Sequence, residues 1–351
     1  MMPRTLMLLI AATLSTPLFA AVPQLGEQKF YKDWAVTCDN RLSCESVSLP
    51  PESYPDNRPS IVLKRDAQTG DVVIDIFGVE TKSSQYRVMI GRKLAHQGDM
   101  PLNEGDPVRI EGADALRLAR NLALGTSAIL ADGAGKELGR ISLAGSRQAF
   151  ALIDQTQNRT GTATSLVRAG RQNRRPKWMP APVIIAKRVV PVDATPDAAA
   201  LVDLAENSAC KDSRITVTED KAYSLGKVDG KAKALVLISC GSGAYNFSSA
   251  VYVGTETAPG KWGFAAPSLD YDDGGRMVFE GMLTMINAGW DPATQSLGSF
   301  NKARGLGDCG EALSYVWDGA MFRLVDAMGM EQCRGSMDWM MRWKAEVKLT
   351  D

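Results

Sequence analysis

The stretch Phe30–Cys44, FYKDWAVTCDNRLSC, decides how the amino-terminal half of this 351-residue chain is read. From Asp33 onward polar and apolar side chains alternate, which predicts a half-buried β-strand with Trp34, Val36 and Cys38 on one face. Asp39 and Asn40 then form a tight segment that leads to Cys44. A second stretch far down the chain, Gly305-Leu-Gly-Asp-Cys-Gly310, has a similar pinning role.

Outward from these stretches, the chain begins with a targeting signal. Arg4 supplies a positive start, Leu6–Leu14 is an apolar run too short to span a bilayer, and Pro17 precedes small residues suited to cleavage after Ala20. No later run approaches the ~18 apolar residues of a transmembrane helix, so no transmembrane segment is expected in the mature chain. Lys and Arg (40) balance Asp and Glu (40), and removal of the leader takes away only Arg4. That balance argues against nucleic acid as a partner, because a phosphate backbone needs a concentrated basic surface.

Six cysteines remain: Cys38, Cys44, Cys210, Cys240, Cys309 and Cys333. An even count without a C-x-x-C step in an exported chain reads as disulfides, which places the protein in the periplasm. Their positions fall into three local pairs, so sequential neighbours are expected to join. Each closed loop would contribute roughly 2–4 kcal/mol in the chain-entropy account.

Strands are expected at 61–64, 72–79, 85–90 and 107–111, a helix at 113–124, a hairpin around Asp132-Gly133 and a helix at 146–157. Arg168–Pro182, RAGRQNRRPKWMPAP, is a basic, Pro-rich linker. Beyond it come a strand at 183–190 and a helix that opens on Thr195-Pro196-Asp197, with threonine as the cap. Further strands are expected at 214–218, 222–228, 234–240, 246–254, 262–265 and 277–279. A hairpin turns at Asp318-Gly319, and one closing strand covers 339–347.

The DWAVTCD…C opening, the hairpin around Asp132-Gly133 and the segment SLAGSRQAFALID resemble the invasion-associated locus B family of exported bacterial proteins, over roughly residues 28–168. That resemblance implies a small, mainly β domain with a closed cysteine loop and no catalytic residues. GLGDCG, YVWDGAMFRLV, Cys333-Arg334-Gly335 and Trp339…Trp343, in this order, resemble the bacterial domain-of-unknown-function family 1176 across nearly the whole mature chain. This second resemblance implies export and carries no activity over to particular residues.

Chemistry-bearing residues are sparse. The one histidine, His96, lies in a polar segment and reads as a surface residue, so multi-histidine metal sites are excluded. No metal site and no cofactor are expected. Cys240-Gly241-Ser242 fails the nucleophile-elbow spacing because cysteine stands at its first position. Asp270, Asp272 and Asp273 cluster before Gly274-Gly275, and Asp308 lies in the Gly-rich cysteine loop. Asp272 with Asp308 is the candidate catalytic pair if the protein is a carboxylate-dependent glycan hydrolase; turn chemistry is the plainer reading. Five of the seven tryptophans lie after residue 260, as core fillers or as an exposed row for a sugar or a protein. Gly241–Tyr245 is similar to the Ser-Gly-rich loop of membrane-type lysozyme inhibitors, over five or six residues, which gives a lysozyme-inhibitor-like protein as a third reading.

The expected fold is mainly β, between all-β and α+β. Two β-sandwich or barrel-like domains, each with one or two short helices, are stapled by disulfides. The expected boundaries are a signal peptide at 1–20, a first domain at 21–167, the linker at 168–182 and a second domain at 183–351. The sequence favours a non-enzymatic cell-envelope module that binds an envelope protein or a cell-wall glycan. Its expected binding residues are Ser242, Tyr245, Asp270, Asp272, Arg304 and Asp308.

Overall fold

A computed structural model of the protein describes residues 22–50, 59–79, 81–103, 105–214, 220–271 and 283–351. The leader expected at 1–20, the strand expected at 277–279, and Asp272 and Asp273 lie outside the described residues, as does most of the strand expected at 214–218.

The first half runs β1 (Lys29–Tyr31), β2 (Trp34–Cys38), β3 (Cys44–Ser48), β4 (Ser60–Arg65), β5 (Val72–Phe77), β6 (Gln85–Ile90), β7 (Lys93–Asp99) and β8 (Val108–Glu111). Helix α1 (Gly112–Leu124), β9 (Ser127–Asp132), β10 (Glu137–Ser142) and α2 (Ser146–Thr156) follow. Strands β1-β2-β3-β4-β5-β8 make a six-stranded antiparallel sheet, and β10-β9-β6-β7 make a four-stranded one. The strand after Asp33 is buried on both faces rather than half-buried. Trp34, Val36, Ile61, Leu63, Ile74 and Ile76 enter one core with Leu118, Leu122, Phe150 and Leu130. Trp34 is fixed there by an edge-on contact with Phe150, ring centroids 5.2 Å apart, and by donating its indole N–H to the Ser142 carbonyl at 2.9 Å.

The opposite face of the same sheet supplies Ala35, Val47, Leu49 and Val62 to a second core, shared with Cys309, Met330, Trp339 and Met340 from the far end of the chain. Because side chains alternate along a strand, a sheet covered on both sides needs apolar residues at successive positions, and Trp34-Ala35-Val36 supplies them.

The second half runs β11 (Val183–Lys187), α3 (Ala198–Glu206), β12 (Lys221–Val228), β13 (Lys231–Ser242), β14 (Phe247–Ala258), β15 (Lys261–Ala265) and β16 (Thr284–Ile286). The remaining strands are β17 (Gly289–Asp291), β18 (Ser296–Lys302), β19 (Gly310–Trp317), β20 (Phe322–Met330), β21 (Met340–Lys344) and β22 (Glu346–Thr350). One antiparallel sheet has the order β12-β13-β14-β15 with β16 on β14, and another the order β17-β18-β19-β20-β21. Leu235, Leu237 and Val251 of the first meet Leu297, Tyr315, Phe322 and Leu324 of the second. Helix α3 covers the outer face of the β12–β15 sheet with Leu201 and Ala205.

Three corrections have physical causes. The cap of α3 is Asp197, whose carboxylate accepts the Ala200 N–H at 2.8 Å, so Thr195 and Pro196 precede the helix. The closing strand breaks at Ala345 into β21 and β22; β22 leaves the antiparallel sheet and pairs in parallel with β11. His96 is half-buried on β7 against Tyr86, ring centroids 5.9 Å apart, and burial with Arg117 nearby lowers its pKa. The three disulfides join Cys38–Cys44, Cys210–Cys240 and Cys309–Cys333. Among the described residues no helix is long and apolar enough to cross a membrane.

Polar groups close the seam between the amino-terminal sheet and β20–β21. Arg334 donates to the carbonyls of Lys32 (2.7 Å) and Pro50 (3.2 Å) and pairs with Asp33 at 2.8 Å. Asn40 donates to the Lys344 carbonyl and accepts its N–H, at 3.0 and 2.8 Å. Glu45 accepts the Met341 N–H at 2.9 Å. Asp338 lies at the same seam, 3.4 Å from the Ser60 hydroxyl, and burial pushes its pKa up to about 6 against partial relief from Lys64.

The folded pKa of Asp338 exceeds its unfolded value, so its contribution to stability is complete below about pH 4 and is lost as pH rises through about 6. Thermal unfolding of the parent and of Asp338→Asn should therefore converge below about pH 4. At pH 7.5 the variant should be the more stable by about 1 kcal/mol, a figure discounted for the partial exposure of the carboxyl. Equal differences at both pH values would exclude the linkage.

Candidate functional site

Two of the three expected loops meet. Strands β13 and β14 join through a tight turn in which Ser242 pairs with Phe247 and Gly243 donates to the Asn246 carbonyl at 2.8 Å. Tyr245 folds back from this turn onto Gly305, where a Cβ would stand 3.2 Å from its ring. Its hydroxyl donates to the Ala303 carbonyl at 3.4 Å, and the Lys302 ammonium lies 5.6 Å from its ring centroid. Asn246 donates to the Lys302 carbonyl (2.8 Å) and accepts from Asn287 (3.1 Å), which also donates to the Phe300 carbonyl (2.8 Å). Ser242 is exposed and Tyr245 is half-buried. A protruding inhibitor loop would present both side chains, and here only Ser242 projects.

Asp308 is the internal post of the second loop. Its carboxylate is fully buried and takes two bonds from Arg304, one of them 2.7 Å long, and one from the Gly335 N–H. Burial alone would raise its pKa, but the Arg304 guanidinium and the Gly335 N–H outweigh it and hold the carboxyl below the usual carboxylate range. The Cys309–Cys333 disulfide ties the same two segments together, and Trp339 donates its indole N–H to the Gly307 carbonyl at 3.2 Å. Gly310 has φ +143°, and a Cβ there would collide with the Asn301 carbonyl, so only glycine fits this crossing.

Asp270 is elsewhere. It pairs with Arg323 at 2.7 Å and accepts the Leu324 N–H at 2.7 Å, beside the Phe322 end of β20. Gly310, two residues after Asp308, pairs with Met330 at the other end of that strand. At a rise of about 3.3 Å per residue, Leu324 and Met330 stand roughly 20 Å apart. The two carboxylates therefore do not share a cleft of glycosidase dimensions, and each is engaged by an arginine. Asp272 lies outside the described residues.

Four large apolar side chains on or beside the joined loops are exposed. Phe247 (56%), Phe300 (44%), Leu306 (43%) and Met337 (61%) are among the exposed large hydrophobic side chains of the described residues. Phe300 stacks on Trp339 with ring centroids 4.6 Å apart, and Met337 reaches toward Gly307 and Lys302. Sequence reasoning named the loops but missed these four residues. No signal in an alternating strand says which of its apolar residues lies on the uncovered face. The tryptophans after residue 260 form no exposed row: Trp317 and Trp339 are buried, and Trp262, Trp290 and Trp343 are half-buried. No group of three or more His, Cys, Asp or Glu that could hold a metal ion occurs among the described residues.

Asp308→Asn leaves the fold in place but weakens the post, because an amide cannot serve Arg304 and the Gly335 N–H as the carboxylate does. Unfolding free energy should fall by about 2 kcal/mol, the range for disrupting a charge-assisted buried network. Proteolytic cleavage within 304–310 should accelerate first; a change below about 0.5 kcal/mol would show that the post is dispensable.

Over 97% of its length the chain is similar, at 27% identity, to "Uncharacterized protein YpfG" of Escherichia coli (strain K12), covering 98% of that relative. The crystal structure of invasion associated protein B from Bartonella henselae aligns with 38% of this chain and 99% of its own, at 15% identity and a TM-score of 0.30. The family described as "Protein of unknown function (DUF1176)" matches residues 28–346, from before β1 through the first residue of β22, and the chain belongs to that family.

Proposed function

We propose that the protein is an exported, non-enzymatic binding module of the periplasm, and that the joined loops 241–247 and 300–310 with Met337 form its docking face for an envelope protein. The observation that carries this reading is the group of four exposed apolar side chains, Phe247, Phe300, Leu306 and Met337, on or beside a loop pair fixed by a disulfide, an ion pair to a buried carboxylate and an asparagine network. Water disfavours such a group, while fixed loops on rigid sheets bind at low entropic cost. Lys302, beside the Tyr245 ring, adds positive charge, which suits a partner surface with acidic residues around an apolar centre, whereas the charge of Arg304 is taken up by Asp308. The asparagines of the site bond to one another and to backbone carbonyls, leaving little of the hydrogen-bonding capacity that sugar recognition demands. A protein partner is therefore favoured over a glycan. Three disulfides and the leader-like residues 1–20 support the periplasmic setting.

A photo-crosslinking residue placed at Phe247 or Met337 should trap one and the same envelope protein in cells. The same probe at Leu94, an exposed apolar residue on β7, should not. Leu306→Glu should abolish the adduct while leaving the unfolding midpoint within a few degrees. Identical products from all three positions, or capture of peptidoglycan alone, would contradict the reading.

A further inference from the structure

The basic segment between the two halves builds a second, separate site. Residues 168–182 have neither helix nor strand, yet the portion from Arg175 to Pro180 is not loose. Asn158 donates to the Arg175 carbonyl at 3.0 Å, the Lys177 N–H donates to the Gln157 carbonyl at 3.0 Å, and the Met179 N–H donates to the Arg41 carbonyl at 3.1 Å. Pro176 and Pro180 hold the strap extended between these ties. The strap forms one wall of an open groove of about 1130 Å³, whose other walls come from α2 and β1.

The chemistry of the groove is one-sided. Lys29, Arg175 and Lys177 line it, and no Asp or Glu does so among the described residues. Lys29 has Glu27 at 3.6 Å outside the groove, while neither strap cation lies within 4.0 Å of a carboxylate among the described residues. Tyr31 and Trp178 line the same space. Trp178 is 41% exposed, the most exposed tryptophan of the chain. A free-standing loop would not hold an indole in water beside two unpaired cations, whereas a ligand with a flat apolar face and negative charge would cover all three. The exposed amide of Gln155 adds a donor and an acceptor on the α2 wall.

We infer that this groove binds an acidic oligosaccharide, a short run of sugar rings bearing carboxylates. Ring faces stack on Trp178 and Tyr31, carboxylates meet Arg175, Lys177 and Lys29, and Gln155 serves ring hydroxyls. The volume exceeds that of a typical small-molecule pocket, and the openness of the groove lets a chain run through it. An acidic peptide shares the charge but offers no succession of ring faces to the two aromatics, so the sugar is the better match. The site is distinct from the loop docking face, and either can fail without the other.

The test uses the full mature chain and two defined probes, a galacturonic acid trimer and a hyaluronan tetrasaccharide, in titration calorimetry at low and moderate salt. At least one probe should bind with a submillimolar Kd that weakens severalfold as salt rises, with chitotriose, an uncharged sugar, at least tenfold weaker. Arg175→Ser combined with Lys177→Ser should weaken binding tenfold or more, and Trp178→Ala about as much. Trp178→Phe should keep most of the affinity and lose the ligand-induced change in tryptophan fluorescence, a signature that a merely structural role would not give. All three positions are exposed, and circular dichroism should show an unchanged fold. Binding of heptaglutamate as tight as that of the sugars, no binding of either acidic sugar at 1 mM, or affinities unmoved by the variants would overturn the assignment.

Discussion

Burial of the six-stranded sheet on both faces is the constraint on which the rest of the structure depends. One face, with Trp34, Val36, Leu63 and Ile74, is closed by α1, α2 and the β6–β9 sheet. The other, with Ala35, Val47, Leu49 and Val62, would lie in water if the carboxy-terminal residues Met330, Trp339 and Met340 did not cover it. At about 25 cal/mol per Å² of apolar surface, leaving such a face uncovered costs several kcal/mol, comparable with the net stability of a domain. The end of the chain is thus part of the core of its beginning.

The polar seam follows from that packing. Joining two sheets brings backbone donors and acceptors into a dry space, and each needs a partner. Arg334 and Gln28 carry out this role from opposite sides: Arg334 reaches the carbonyls of Lys32 and Pro50, and Gln28 bonds the Gly329 carbonyl and the Glu331 N–H. Asp308 and the Cys309–Cys333 bridge anchor the segment bearing Arg334. The same post therefore steadies the docking face and positions the clamp, which links the proposed binding surface mechanically to the seam.

Much of this was legible in the sequence wherever local chemistry decides. Turn residues such as Asp318-Gly319, the alternation in β6, the helical spacing of α1 and α2 and the neighbouring cysteines point to the elements found. What escaped depends on distant chain. Two-sided burial of β2 requires knowledge that Trp339 returns to it. The split at Ala345 reflects pairing of β22 with β11, more than 150 residues earlier. Of the site, the loops at 241 and 304 could be named because glycines and cysteines mark them, while Asp270 could not be separated from them in advance. The exposure of Phe247 and Met337, and of Trp178 instead of the later tryptophans, is a property of what covers each residue and leaves no mark in its own neighbourhood.

The central claim is that the amino- and carboxy-terminal sheets form one folded body through a shared core, with the strap at 168–182 as a connection and not as the bond. Cutting the strap tests this directly. A protease site placed at 170–173, ahead of the groove, would be cleaved in the folded protein, and the product run by gel filtration and unfolded in urea. The account predicts that both fragments co-elute as a particle of the parent's size and unfold in a single transition seen by probes in each half. Separate elution of two fragments that each keep native circular dichroism would show two independent bodies and contradict it.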